Sequence, residues 1–70
     1  MKRLGEKLRV LRNRRGLTLR QLGDMLEVNY GYVGKLERGE KIPSLPTLFK
    51  IATIFGVSAD QLMRDDLEID

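Results

Sequence analysis

Seventy residues make one domain, and a domain this small buries only about 60% of the surface its unfolded chain exposes, which leaves little room for an enclosed catalytic cavity. The chain has no cysteine and no histidine, so disulfides, thiolate metal sites, the commonest zinc ligand and the commonest general base are all excluded. Net charge is +3 but unevenly spread: residues 1–20 carry eight Lys or Arg against one acid, whereas residues 43–70 carry two against five.

A cationic segment of this kind attracts polyphosphate partners, and it also forms ordinary solvated helix faces. No apolar run approaches the roughly 20 residues that cross a bilayer, and the start of the chain lacks the apolar core of a signal peptide. The expected protein is cytoplasmic, with no membrane partner.

The first predicted helix spans about residues 3–14, with Leu4, Leu8 and Leu11 as its buried stripe and Gly16 closing it in the left-handed region. Arg3, Lys7, Arg9, Arg14 and Arg15 read as a solvated basic face that adds diffuse attraction for phosphate. Thr18 opens the second helix, and Gln21 three residues on completes a capping box. Leu22 and Leu26 lie one turn apart on that helix, Val33 and Leu36 share a face of the next, and Val28 plugs the connection. Gly23 lets one backbone cross closely over the other. This is the residue logic of a helix-turn-helix, whose second helix is the one placed in the major groove of DNA.

Asn29 is placed to cap the third helix, which runs to Arg38 and stops at Gly39. Pro43, Ser44 and Pro46 mark an extended loop into a fourth helix that carries Leu45, Leu48, Ile51, Ala52 and Phe55 and is closed by Gly56. Ser58 caps a short fifth helix bearing Leu62 and Met63. Connections are short and strand signals absent, so the predicted fold is all-α, a compact five-helix bundle over residues 1–63 with a central helix-turn-helix. Residues 64–70, RDDLEID, read as a frayed acidic tail or as the start of a linker into a further domain. The carboxylates Asp65, Asp66, Glu68 and Asp70 lack the histidine and shaping pocket of a metal or acid–base site. With no glycine-rich phosphate loop or nucleophile motif either, neither catalysis nor a cofactor nor a metal is expected.

Residues 4–63 resemble the phage-repressor type of helix-turn-helix domain, the Cro and lambda-repressor or XRE-like family. The likeness runs in order and without gaps through LRVLRNRRGLTLRQLG, YVGKLERGEKIPSL and LFKIATIFGVSADQLM. It implies a five-helix transcriptional regulator of the repressor kind, acting as a homodimer on a double-stranded DNA operator. By position, the family's base-contacting residues correspond to Tyr30, Gly31, Gly34 and Lys35, and its phosphate-contacting residues to Thr18, Asn29 and Arg38, with Lys41 in the loop behind. The residues agree with that placement, because a helical wheel sets Val33 and Leu36 on one side and Gly31, Gly34, Lys35 and Arg38 on the other. Lys35 can donate to guanine O6 or N7, Tyr30 can donate from its hydroxyl or touch a thymine methyl, and Arg38 is better placed for phosphate.

The sequence departs from the family at two places. Leu19 stands where a phosphate-holding Gln is frequent, and Glu27 stands at a turn position that commonly needs glycine for positive φ, at a cost of about 1 kcal/mol. Gly31 and Gly34 each cost about 1 kcal/mol relative to alanine. Close approach to base edges is one explanation; drift, or a face that meets protein, is the other. The resemblance also implies a partly buried, bidentate ion pair between Arg12 and Glu37, joining the first helix to the third. Tyr32, Phe49 and Phe55 read as packing, while Phe49 and Ile54 fall partly off the inner stripe and are candidates for self-association. The competing reading is a protein-interaction module of the same fold, with weak or no specific DNA binding, which Leu19, Gly31 and Gly34 keep open.

Overall fold

Thr18, Asn29, Ser44 and Ser58 each stand one residue before a helix, and each occupies a free amide of its first turn in the computed structural model, which describes residues 1–70. The helices are α1 (Leu4–Arg14), α2 (Leu19–Leu26), α3 (Tyr30–Glu37), α4 (Leu45–Phe55) and α5 (Ala59–Met63), and there is no strand. Thr18 and Gln21 form the full capping box, with the Gln21 N–H donating to Thr18 Oγ1 at 3.0 Å and the Thr18 N–H to Gln21 Oε1 at 2.9 Å. Ser58 and Gln61 repeat it at α5. Gly16, Gly39 and Gly56 follow α1, α3 and α4 with positive φ, the left-handed turn that ends a helix most cheaply without a Cβ.

The core is one cluster: Leu4, Leu8 and Leu11 from α1, Leu22 and Leu26 from α2, Val33 and Leu36 from α3, Leu48, Ile51, Ala52 and Phe55 from α4, and Leu62 from α5. Val28, Tyr32, Ile54 and Met63 pack half-buried at its edge. Leu45 differs from expectation, being 63% exposed. It begins α4 at the margin of the inner stripe, where the chain has only just left the extended loop.

Two backbone crossings fix how the helices stack. A Cβ on Gly23 would stand 2.9 Å from Val28 O and 3.1 Å from Tyr30 Cα, so α3 can lie over α2 only because that side chain is missing. A Cβ on Gly5 would stand 2.5 Å from the carbonyl oxygens of both Leu36 and Glu37, so the start of α1 lies directly on the end of α3. Gly5 does not announce itself in the sequence beyond being a poor helix former inside a helix.

The largest difference from expectation lies at the tail. Residues 64–70 are docked along α1, with Asp65, Leu67 and Ile69 less exposed than Arg64, Asp66, Glu68 and Asp70, and the chain turns at Asp65–Asp66, where the Leu67 N–H donates to Arg64 O at 3.2 Å. The Asp65 carboxylate accepts the backbone N–H groups of Lys2 at 3.1 Å and Arg3 at 2.9 Å, serving the one helix start that has no side-chain cap of its own. Those N–H donors hold its carboxyl below the usual carboxylate range. Arg3 grips Glu68 through Nη1 and Nη2, and Arg14 grips Asp70 in the same way, lowering the pKa of each carboxyl.

The expected solvated basic face of α1 is therefore largely spent on the protein itself. Lys7 is 2% exposed, and its Nζ donates to the carbonyl oxygens of Gln61 at 2.6 Å, Arg64 at 2.8 Å and Leu67 at 2.7 Å. An ammonium with three donors and no acceptor suits the end of α5, where the last carbonyls lack helical partners and the helix dipole is negative. Arg9 turns to Glu37, and Arg15 lies over the Phe55 ring, 5.3 Å from its centroid.

Candidate nucleic-acid interface

α3 packs against both α1 and α2. Its inner side is closed: Val33 and Leu36 are essentially inaccessible. Its outer side carries exposed Gly31 and Lys35, with Tyr30 half exposed at its first position. Neither Lys35 nor Lys41 forms an ion pair with a carboxylate.

The capping residues keep donors in reserve. Asn29 Oδ1 accepts the Gly31 N–H at 2.7 Å, which leaves the Asn29 amide N–H groups free to donate outward. Thr18 Oγ1 is occupied as an acceptor, which leaves its O–H. Gly31 is tight against this cap, since a Cβ there would stand 3.0 Å from Asn29 Oδ1.

Gly34 is where the geometry corrects the sequence reading. It is buried rather than bare: the position of its missing Cβ lies 3.0 Å from Arg38 Nη1 and 3.9 Å from Leu19 Cδ1. Two neighbouring side chains thus lie across the helix at this point, and the surface there belongs to Arg38 and Leu19. Arg38, which ends α3, is itself half exposed and paired with Glu40, whose carboxyl is held below its usual range by the guanidinium hydrogen bond. An exposed pair of this kind contributes little net energy and exchanges readily for another anion.

Behind the exposed face the helix is fastened to α1. Arg12 Nε donates to Glu37 Oε2 at 2.6 Å and Arg12 Nη2 to Glu37 Oε1 at 3.1 Å, while Arg12 Nη1 donates to Leu17 O at 2.8 Å. Arg9 Nε adds a third contact to Glu37 at 3.3 Å. The Glu37 side chain is 2% exposed, and its hydrogen bonds raise the Arg12 pKa further. Glu27 takes up φ 60° and ψ 39°, the left-handed conformation, so the turn keeps its glycine-type geometry and carries the strain of a Cβ.

One residue of this surface escaped the sequence reading. Arg20, in the first turn of α2, places its guanidinium carbon 4.7 Å from the centroid of the Tyr30 ring. An exposed cation–π contact contributes about 0.5–1 kcal/mol. Nothing in the one-dimensional pattern brings residues 20 and 30 together; the Gly23 crossing does.

Five short helices, the second and third crossing at a glycine and the third fastened by its inner face, define a helix-turn-helix domain of the type found in transcriptional regulators. The chain belongs to the helix-turn-helix family HTH_3, whose profile matches residues 8–62. It is 38% identical over 62 residues to the HTH-type transcriptional regulator DdrOP3 of Deinococcus deserti, an overlap that covers 89% of this chain and 48% of that protein. Among solved structures it is similar to the P22 c2 repressor in complex with synthetic operator 9T, with a TM-score of 0.84 at 27% identity over 90% of this chain and 96% of that one. It is also similar to the restriction-modification controller protein C.AhdI from Aeromonas hydrophila, with a TM-score of 0.78 at 32% identity over 89% and 94%. The chain spans about half the length, or less, of the curated relatives it matches. No helix is long and apolar enough to cross a membrane.

Proposed function

We propose that this protein is a cytoplasmic, sequence-specific double-stranded DNA-binding regulator that represses transcription by laying α3 in the major groove of an operator. The observation that carries this reading is the two-sidedness of α3: Val33 and Leu36 sealed within the core, and Tyr30, Gly31 and an unpaired Lys35 outward. Tyr30, Gly31 and Lys35 face base edges, and Gly34, with no Cβ, leaves room for the Arg38 guanidinium close against the helix. Thr18, Asn29, Arg38 and Lys41 hold phosphates, the first two with the donors their capping roles leave unused. Arg38 reaches a phosphate by exchanging Glu40 for it.

A homodimer sets two such helices one duplex turn apart, about 34 Å, on a roughly palindromic site. Exposed Met25 and Phe49 beside half-buried Ile54 supply the apolar surface for that pairing. Selection of bound sequences from a random duplex pool tests operator recognition and symmetry together. The expected result is a two-fold-related consensus, with affinity for random duplex that falls steeply as salt rises. No binding to any duplex at low salt would overturn the reading in favour of a protein-interaction module.

A further inference from the structure

The cations of residues 1–20 are mostly committed elsewhere. Tail carboxylates hold Arg3 and Arg14, carbonyl oxygens hold Lys7, Glu37 holds Arg9 and Arg12, and Arg15 lies over Phe55. Arg20 has neither a carboxylate nor a carbonyl partner, and its one specific contact is the Tyr30 ring. Arg20 is the second residue of α2 and Tyr30 the first of α3, so the contact spans the motif on its exposed side, and both side chains are open to solvent.

A free surface arginine samples many rotamers, and ordering it on binding costs affinity. Resting on an aromatic ring restricts Arg20 beforehand while leaving its fork of N–H donors unused. A phosphate anchor needs only charge and gains little from such restriction. A planar, bidentate donor gains much, and the bidentate acceptor on the major-groove edge is guanine, through O6 and N7. We propose that Arg20 reads a guanine of the operator and that Tyr30 is its positioning residue, holding the guanidinium in reach. This inference rests on the DNA-binding reading above, and it gives α2 a share in specificity beside the Tyr30, Gly31 and Lys35 face of α3.

The test uses the duplex selected by the wild-type chain, with each guanine replaced in turn by 7-deazaguanine, which lacks the N7 acceptor. Binding is followed by fluorescence anisotropy. At one position the replacement should weaken the wild type roughly tenfold yet weaken Arg20→Ala by less than about twofold, because the contact is already gone. Arg20→Ala should itself lose roughly 10- to 100-fold on the selected duplex and little on random duplex. Tyr30→Leu should likewise lose its response to the deaza replacement at that guanine, and Tyr30→Phe, which keeps the ring, should retain that response whatever its hydroxyl contributes at other bases. Equal weakening on selected and random duplex, with the salt slope reduced by about one, would make Arg20 a phosphate contact and overturn the proposal. So would an undiminished response of Arg20→Ala to every deaza position. Failure of the wild type to select any sequence is a different result, which removes the DNA-binding reading and this inference with it.

Discussion

With its side chain nearly sealed from water, the Glu37 carboxylate has its ion-pair partners in Arg12 and Arg9. Glu37→Ala strands the Arg12 guanidinium at the edge of the core, and the expected loss is about 3 kcal/mol by urea denaturation. A loss well under 1 kcal/mol would mean that water replaces the carboxylate freely. Glu27 makes the opposite case, because its left-handed backbone disfavours every residue with a Cβ. Glu27→Gly should stabilise the fold by about 0.5–1 kcal/mol in thermal melting, the relief of strain exceeding the added freedom of the unfolded chain. Its contact with Lys50 at 3.6 Å is exposed and subtracts little. At this scale the caps at Thr18, Asn29 and Ser58 were legible from sequence, since a cap needs only one polar side chain at a fixed offset, whereas Ser44 read only as part of the loop between two prolines. Lys7 was misread although its position held the signal: it falls between Leu4 and Leu8 on the same helical stripe, and a lysine in an apolar stripe must find acceptors inside.

Helix pairs are governed by how closely their backbones approach, and Gly5 sets that distance for α1 and α3. Gly5→Ala would push a methyl into two carbonyl groups of the main chain, which cannot swing aside as a side chain could. The expected cost is about 3 kcal/mol, at the upper end of ordinary overpacking, read as a lowered melting temperature with helical content kept at low temperature. Gly23 was recognisable beforehand because the turn that follows it limits where α3 can go. Gly5 was not, because its partner backbone lies more than thirty residues away and no local rule points to it. The same reasoning explains the interface. The outer side of α3 is exposed at Gly31, and at Gly34 it is covered by the side chains of Leu19 and Arg38.

For the molecule as a whole, the uneven charge along the chain becomes an internal clasp. Asp65, Glu68 and Asp70 all have carboxyls below their usual pKa because N–H donors of Lys2, Arg3 and Arg14 favour the ionised form. A carboxylate with a depressed folded pKa contributes stability that is complete above its unfolded value and is lost as pH falls through the folded one. Melting temperature should thus be level with respect to these groups above about pH 5 and decline on acidification below about pH 4. Removing the tail carboxylates as Asp65→Asn, Glu68→Gln and Asp70→Asn should flatten that decline. The five-helix order was legible because the helical apolar period recurs along the chain and capping side chains or glycine stops mark most of the helix ends. The docking of residues 64–70 was less so, since only Leu67 and Ile69, two apart, hinted at an inward side.

The clasp also joins the most distant parts of the chain: Lys7 meets carbonyl groups 54, 57 and 60 positions away, whereas α2 and α3 are neighbours in sequence. Closing so long a loop is entropically late work, so the transition state for folding should contain the α2–α3 crossing without the strap. Lys7→Met, costing about 2 kcal/mol, should leave the refolding rate nearly unchanged and speed unfolding roughly 30-fold in stopped-flow measurements. The strap then governs how long a folded molecule lasts, and the crossing governs how quickly one is made.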